Sequence, residues 1–482
     1  MKVCCPGFFD LIHPGHERFL VNLASEYASL DVVILEGGSH RLEAVRLTPI
    51  EAKDRIEQIM ANSPDVSVTI VPMEEVVEWF RVNEAVNTIV VGDESALQSY
   101  HWLTAVEPIL TKRSGGVKIY RESARGPFIQ RRNPYIFPKS YDAESVYKHL
   151  LESRGTTVSS LCKKIEGTCK SSRVLVVGDL IADEYIQCSV GGISAEAPIP
   201  VMIENNRSVF VGGAGVIARH LKFLGCSVTL ATSYGQGESA EAVQAQLNAD
   251  GIHCFHLSDS GSMLIKSRYL SKSTKLFRVT RGDAYIPFDP DSFEQLLAQL
   301  PSFDLLFVAD YGSLFQNETL ISRLLQESHS LAIPVVSDVQ ARAPGTSVLN
   351  VPGAYVVMPT EREARLAVGL TEVGLEELGR ILMKKGAFRT LGLTLDEDGL
   401  LVFDIDNQAS VVYLPALNRD PVDVSGAGDC QLVVFAMSKF SGNDIVTSAV
   451  ISSIAAGIAV SNLGNIPVSL NDIEECWNQR EF

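Results

Sequence analysis

Residues 423–429 read Asp-Val-Ser-Gly-Ala-Gly-Asp and run straight into the apolar stretch CQLVVFAMSKF (430–440). A glycine-rich turn feeding an apolar helix has a specific chemical use. Gly426, Ala427 and Gly428 present a nest of backbone N–H groups at the positive end of the helix dipole. Such a nest suits the charge that builds on a transferring phosphoryl group. Asp429, in the same turn, is placed to accept the proton of an attacking hydroxyl. Taken alone, the four residues also read as an ordinary capped helix start, so the surrounding chain has to decide.

Outward from this turn, the chain alternates between apolar strands and helical patterns. RVLVVGD opens the region at Arg173, and further strands are expected at 228–234, 304–311, 333–339, 354–360 and 390–396. Continuous apolar runs of this kind suit buried parallel strands. The more polar, β-like stretches 184–210 and 262–286 are expected to form a lid, and the small-residue run 448–463 a buried helix. Nearer the N-terminus, strands at 2–7, 31–37, 66–72 and 87–93 alternate with helical patterns at 49–61 and 74–82. The alternation predicts an α/β protein, with a compact doubly wound, Rossmann-type domain at residues 1–135 and a single large α/β domain with a β lid at 173–482. Residues 136–172 form the linker, with one amphipathic helix at 142–153.

Bulk properties narrow the functions. The 482 residues carry 58 acidic against 41 basic side chains, a formal charge of −17. So acidic a chain has no general attraction for nucleic acid or anionic lipid. The nine cysteines are scattered and form no CxxC pair, which argues against a disulfide framework or a structural zinc. A soluble protein of the reducing cytoplasm is expected, with neither signal peptide nor membrane span.

A second phosphate-handling turn stands at residues 7–16, Gly-Phe-Phe-Asp-Leu-Ile-His-Pro-Gly-His. Gly7 and Gly15 let the backbone approach a ligand, and the helix starting near Gly15 points its N–H groups at an anion. His13 and His16, across a Pro-Gly turn, are placed to donate two hydrogen bonds to one phosphate.

The ten-residue string resembles GxFDxxHxGH, the signature of the cytidylyltransferase-like nucleotidyltransferases. The likeness extends to 46–59 (RLTPIEAKDRIEQI) and 86–95 (VNTIVVGDES). It implies that Gly7, Phe8, Phe9, Asp10, Gly15, Gly92 and Asp93 bind a nucleotide, while His13 and His16 stabilise charge on its α-phosphate. Two elements depart from the pattern. The family's VxKGxD lysine is absent before Gly92, and 120–132 holds Ser123 and Arg125 without the usual STTxI-type string.

The turn at 423–429 resembles DTxGAGD of the ribokinase-like (PfkB) sugar kinases, and other strings follow in that family's order. GDLIADEY (178–185) is similar to the first strand end, implying that Asp183 holds sugar hydroxyls. VGGAGVIARHLKFLG (211–225) is similar to the Gly212-Gly213 turn that closes over the sugar. TLDEDG (394–399) matches the nucleotide-side loop, so Thr394, Gly399 and Ser425 are expected at ATP. ISAEAPIPV (193–201) is most similar to the heptose-7-phosphate kinases and points to Glu196 as a sugar ligand. The resemblance further implies Mg²⁺ on the ATP phosphates with Glu363 near its shell, and a homodimer. Lys266, Arg268 and Arg281, clustered at 264–283, are the cations expected for a sugar phosphate. Four positions depart from the family strings: Val216 for an Asn, Ser313 for a Lys, Gln340 in the DPK string and Thr360 in NxxE.

Both halves together resemble the enzymes that fuse a heptose-7-phosphate kinase to a heptose-1-phosphate adenylyltransferase, here with the domain order reversed. The expected function is ATP-dependent phosphorylation of a heptose 7-phosphate-like sugar at its anomeric hydroxyl, then adenylyl transfer toward an ADP-heptose. The alternatives are a kinase with a regulatory nucleotide-binding front domain, a non-catalytic scaffold, and the same chemistry on another sugar.

Overall fold

The computed structural model describes residues 2–7, 9, 12, 14–36, 49–61, 63, 65–91, 102–113, 115–119, 143–258, 262–272, 274–282, 287–340, 346–370, 373–405, 411–418 and 421–479. The chain divides into two compact units. The smaller comprises Met1–His149 with Ala364–Leu382 and Asp406–Tyr413, the larger Leu150–Glu363, Met383–Ile405 and Leu414–Phe482.

In the smaller unit, β1 (Lys2–Gly7), β2 (Ser29–Glu36), β3 (Val66–Pro72), β4 (Val86–Val91) and β5 (Gly116–Ile119) form one sheet in the order β3-β2-β1-β4-β5. All pairings are parallel. Strand β2 is buried from Leu30 to Leu35, as a strand covered on both faces requires. Its buried Asp31 is held by Ser67 and, at 2.9 Å, by Lys2. The helices Pro14–Glu26 and Pro49–Ile59 pack one face around Leu20, Leu23, Ile34 and Ile56. Val76–Val82 and Leu103–Lys112 pack the other around Val33, Phe80 and Val106.

The sheet has one reversal. From β1 the chain builds outward to β2 and β3, then returns to place β4 on the other side of β1. Ligands of such sheets bind outside the carboxyl ends of the strands that flank the reversal. Here those ends are Gly7 and Val91.

The larger unit repeats the plan with more strands. These are β6 (Arg173–Gly178), β7 (Leu180–Ile193), β8 (Pro200–Gly213), β9 (Ser227–Ser233), β10 (His253–Ser258), β11 (Leu264–Ser271), β12 (Thr274–Arg281), β13 (Leu305–Asp310), β14 (Val335–Val339), β15 (Val356–Val357), β16 (Thr390–Thr394) and β17 (Leu400–Asp404). Strands β10-β9-β6-β13-β14-β15-β16-β17 follow one another across the main sheet. They are parallel up to β16, with β17 antiparallel to it. The reversal lies between β6 and β13, whose carboxyl ends lead into Asp179 and Tyr311.

Strands β12-β11-β7-β8 make the second sheet, the lid. The helices Ala427–Phe440 and Ile445–Ala459 are mostly buried. A uniformly apolar helix cannot face water, so the run from 448 to 459 ends up inside, while 461–463, beyond the helix, are exposed. Within 136–172 the chain forms Ala143–Ser153, close to the expected helix, and also Val158–Ser171. The latter is capped by Thr157, whose side chain accepts from the Ser160 N–H, and buries Leu161, Ile165 and Cys169 against the helices Leu470–Gln479 and Ala427–Phe440.

Candidate active sites

The catalytic turn of the larger unit is built on Gly426. Its φ of 77° is left-handed, and a Cβ there would lie 2.7 Å from Asn465 Oδ1. Only glycine meets both demands. The turn starts the helix Ala427–Phe440, whose first N–H groups have no acceptor within the helix. A Cβ added at Gly428 would meet nothing within 4 Å, so the space before this nest is open. Asp423 secures the strand leading into it. Its carboxylate accepts from Tyr185 Oη (2.5 Å), Lys275 Nζ (2.6 Å), and the N–H groups of Ser425 and Gly464. Burial works against its charge, but these donors win and hold it at about 2.

Asp429 is half-buried in the first turn of that helix. Tyr311 Oη stands 2.7 Å from Asp429 Oδ1 and 2.7 Å from Asp338 Oδ2. Burial raises the Asp429 carboxyl above the ordinary aspartate value; bonds from Asp338 and Tyr311 oppose this, Asp183 adds to it and Lys266 counters it. A carboxylate with a raised affinity for protons has the chemistry to accept a hydroxyl proton.

Asp183, on β7, lies against the catalytic turn. Arg268 Nη1 donates to its Oδ1 at 2.6 Å and Asn465 Nδ2 to its Oδ2 at 2.9 Å. Gly212 passes so close that a Cβ would sit 2.8 Å from Asp183 Oδ2. Gly213 has φ 60°, with the Asp179 carbonyl 2.2 Å from where its Cβ would be. The Gly212-Gly213 turn thus lets the backbone close over the sugar aspartate. The Asp179 carboxylate accepts from the N–H groups of Tyr311 (2.8 Å) and Ser313 (3.1 Å) and from the Ser313 hydroxyl. Ser313, the position of the missing lysine, therefore still contacts an aspartate. Beside it Asp310 is fully buried, and burial with the Asp179 charge pushes its carboxyl up to about 7.

The structure separates the three expected cations. Lys266 lies 5.5 Å from the Tyr311 ring centroid and acts on the charge of Asp429. Arg268 is committed to Asp183 and stacks over Tyr185. Arg281 is drawn instead to the fully buried Glu184, donating at 2.8 Å, and to Ser267. Glu196 is also apart. It is exposed in the connection between β7 and β8, beyond Ile193. Ten residues of strand separate Ile193 from Asp183, about 33 Å if straight at the usual rise.

Glu363 proves to be a capping residue. Its Oε2 accepts from the Thr360 N–H (3.0 Å) and hydroxyl (2.9 Å), while Thr360 Oγ1 accepts from the Glu363 N–H. This reciprocal capping box opens the helix Glu361–Val368. Among the described residues no group of three His, Cys, Asp or Glu side chains gathers as a metal site. Thr394 ends β16 with its hydroxyl on the Pro359 carbonyl, and Gly399 (φ 100°) closes the following turn, its carbonyl accepting from the Leu395 N–H. Val216 is buried, 3.7 Å from where a Gly426 Cβ would be, and Gln340 bonds through its N–H to the Asp310 carbonyl. Tyr311, Asp338, Asn465, Asp423 and Lys275 were not expected as site residues. Tyr311 and Asp338 reach it from strand ends, Lys275 from the lid, and Asp423 and Asn465 from loops beside helices.

In the smaller unit the candidate site follows Gly7. The Phe9 ring folds back to within 2.8 Å of a Cβ placed at Gly7, and Phe9 takes a positive φ of 49°. This sharp return leads the chain from β1 into the helix Pro14–Glu26, where Gly15 and His16 occupy the first turn. The His16 ring packs edge-on to Phe9 at 6.1 Å. Arg55, from the resembling helix at 46–59, is nearly buried and bonds Glu17 at 2.6 Å. Phe8, Asp10, His13, Gly92, Asp93, Ser123 and Arg125 lie outside the described residues.

Known proteins match both regions. Residues 171–472 match the pfkB family of carbohydrate kinases, and residues 4–143 the cytidylyltransferase-like family. The bifunctional protein HldE of Syntrophotalea carbinolica is 30% identical over 316 residues, 64% of this chain and 63% of its own length. That of Geobacter sulfurreducens is 29% identical over 308 residues, 62% and 61%. The chain thus spans somewhat over three fifths of these curated relatives. Among solved structures, ribokinase from Giardia lamblia covers 64% of this chain and all of its own, at 16% identity and TM-score 0.54. Phosphofructokinase-2 from Escherichia coli covers 64% and 99%, at 16% identity and TM-score 0.52. These two show the fold alone.

Proposed function

Given that this chain belongs to the pfkB family of carbohydrate kinases, we propose that its larger unit transfers the γ-phosphoryl group of ATP to the anomeric hydroxyl of a phosphorylated sugar, a heptose 7-phosphate or close relative. The observation that carries this reading is Asp429 in the first turn of a helix whose N–H nest opens onto free space, with Asp183 and Lys266 beside it. Asp183, steadied by Arg268 and Asn465, positions sugar hydroxyls. Lys266 supplies positive charge. Asp429 takes the proton of the attacking hydroxyl, its oxygen bonds the γ-phosphorus, and ADP leaves. The N–H groups at 426–428 stabilise charge on the phosphoryl oxygens. Mg²⁺, when bound, neutralises charge on the ATP phosphates.

The smaller unit, in this reading, transfers AMP to a sugar 1-phosphate, with His13 and His16 at the α-phosphate. Support comes from the glycine turn at the reversal point of its sheet. Its likeness to the cytidylyltransferase-like family agrees. The departures at 91 and 120–132 favour a second reading, in which this unit binds a nucleotide without turning it over. The setting is a reducing cytoplasm: all nine cysteines are free, and no described helix is long and apolar enough to cross a membrane. Homodimerisation belongs to the same reading, supported by Ile193, Ile199 and Ile203 exposed along the β7–β8 hairpin.

The deciding experiment measures ADP formation from Mg-ATP and D-glycero-D-manno-heptose 7-phosphate. Wild type should turn over. Asp429→Asn should lose about 10²–10⁴-fold in kcat, the usual worth of a general base, while ATP affinity stays within about twofold. An Asp429→Asn protein with full turnover would show the base to be misassigned.

A further inference from the structure

The environment of Asp429 raises a problem of hydrogen count. Tyr311 Oη lies 2.7 Å from a carboxylate oxygen of Asp429 and also 2.7 Å from one of Asp338. A phenol has one hydrogen and can donate to one of these oxygens only. At 2.7 Å the other contact also needs a hydrogen, because two oxygens so close without one repel each other. That hydrogen sits on a carboxyl group, and the phenol oxygen accepts from it. The trio therefore holds a carboxyl proton in addition to the tyrosine's own, and Asp338 also bonds Asp429 directly. If Asp429 is to act as a base, it is the ionised member and Asp338 the protonated one.

The strands explain why these groups meet. Asp338 is in the last turn of strand β14 and Tyr311 directly follows β13, its parallel neighbour, where Ala309 pairs with Asp338. The two reach the same crevice from adjacent carboxyl ends, and the helix Ala427–Phe440 brings Asp429 to it. Asp338 is half-buried and keeps a side open to water. Asp183 and Lys266 are the other charged groups that act on Asp429.

We propose that Asp338 is a second proton carrier of the kinase site, which drains the base through the Tyr311 hydroxyl after each phosphoryl transfer. The proposal rests on the kinase reading above and deepens it. The transfers balance. The sugar hydroxyl gives its proton to Asp429 as its oxygen bonds the γ-phosphorus. Asp338 releases its proton to water. Tyr311 passes its hydrogen to the vacated Asp338 oxygen and takes the proton from Asp429. The site ends as it began, with Asp429 ionised and Asp338 protonated, and one proton has moved from the sugar to solvent. Tyr311 does not ionise at any stage. Burial beside two carboxyls keeps its hydroxyl well above the usual phenol range, which suits a group that hands on one hydrogen only as it gains another.

The test compares wild type with Asp338→Asn, Asp338→Glu, Tyr311→Phe and the double variant Asp338→Asn/Tyr311→Phe in ADP formation across pH 6 to 9, each first checked for a wild-type melting profile. Asp338→Asn keeps the shape but cannot accept the proton. It should lose about 10- to 100-fold in kcat at pH 6–7, with both KM values within about twofold, as for a step that follows binding. Its defect should shrink as pH rises, because hydroxide then clears Asp429 directly. Tyr311→Phe should show the same loss and the same pH trend, and the double variant should be no worse than either single one. Asp338→Glu should recover most of the rate. A merely structural role would move stability and KM and leave the pH profile parallel to wild type.

Asp338→Asn or Tyr311→Phe turning over within about twofold of wild type at pH 6–7 overturns the relay. So does a double variant whose losses multiply. If wild type turns over and Asp429→Asn does not while Asp338→Asn is unimpaired, the relay fails and the kinase assignment stands. If Asp429→Asn is also unimpaired, or wild type turns over no sugar phosphate, the kinase assignment fails and the relay with it.

Discussion

The two units solve one problem at two levels of elaboration. Each is a parallel sheet with a single reversal of strand order, and each places a glycine turn and a helix start beside that reversal. In the smaller unit the described part of the turn comprises Gly7, the folded-back Phe9, and Gly15 and His16 opening a helix. In the larger unit the turn is surrounded by carboxyl groups, the cations Arg268, Lys275 and Lys266, and the hydroxyls of Tyr185 and Tyr311. The chemistry proposed for each differs. Adenylyl transfer from ATP to a phosphate needs no proton removed, so donors to the α-phosphate suffice. Phosphorylating a hydroxyl needs a base, and a base needs neighbours that set its proton affinity.

The largest test of this contrast crosses the two sites. His16→Ala should reduce pyrophosphate release with a sugar 1-phosphate acceptor by about 10²-fold or more, by analogy with loss of one charge-stabilising donor. Sugar-dependent ADP formation should stay within about twofold. Loss of both activities in this one variant would mean a single coupled site, and retention of both would assign the smaller unit to nucleotide binding alone.

A subtler test substitutes one glycine in each turn. At Gly426 both the backbone and the space are closed to a side chain: φ is 77° and Asn465 Oδ1 stands 2.7 Å away. Gly426→Ala should cost about 1–3 kcal/mol in stability, read as a shift in the denaturant midpoint, and lower kcat as the nest is displaced. At Gly7 the obstacle is the Phe9 ring, a side chain that can turn aside, and the glycine φ is not left-handed. Gly7→Ala should cost less than about 1 kcal/mol. Equal costs would erase the distinction between a locked turn and a yielding one.

The smallest expected effect concerns pH. Asp310 has an ordinary value of 3.8 and is pushed up to about 7 in the folded protein. Between these values the folded state binds more protons than the unfolded one, so the stability from this group, complete below about 4, is lost as pH rises to about 7. Asp310→Asn should flatten that part of the stability curve, measured by urea unfolding at pH 5 and pH 7.5. An unchanged slope would place the proton elsewhere.

Much of the fold was legible because buried parallel strands write themselves as apolar runs. The candidates at 66–72, 228–234 and 333–339 match β3, β9 and β14 within two residues at each end. Strand β5 is only four residues long and carries a lysine, and it gave no such run. The helix Val158–Ser171 fell inside a stretch whose polar and small residues read as a linker; its apolar stripe of Val158, Leu161, Ile165 and Cys169 has helical spacing and was the available signal. In the site, Asp429, Gly426, Asp183, Gly212 and Gly213 were readable because turn geometry confines those residue types to short strings. Asn465 and Tyr311 were not. They lie 282 residues from Asp183 and 118 from Asp429 in sequence, and no local pattern encodes such meetings. Glu363 has a local role that the motif reading did not include. Thr-x-x-Glu before a helix is a capping box, and the motif reading passed over that local explanation.

Strand β7 has a further consequence. It is one continuous element from Leu180 to Ile193, antiparallel to β8 for most of its length, with Asp183 near its root and exposed Ile193 at its tip. A stiff arm of about 33 Å converts a 10° rotation at the root into roughly 6 Å of travel at the tip. The same arm works in reverse. A partner that seats the tip bears on Asp183 with the leverage of the whole strand, so under the proposed kinase function what the lid touches and how tightly a sugar is held become one mechanical quantity.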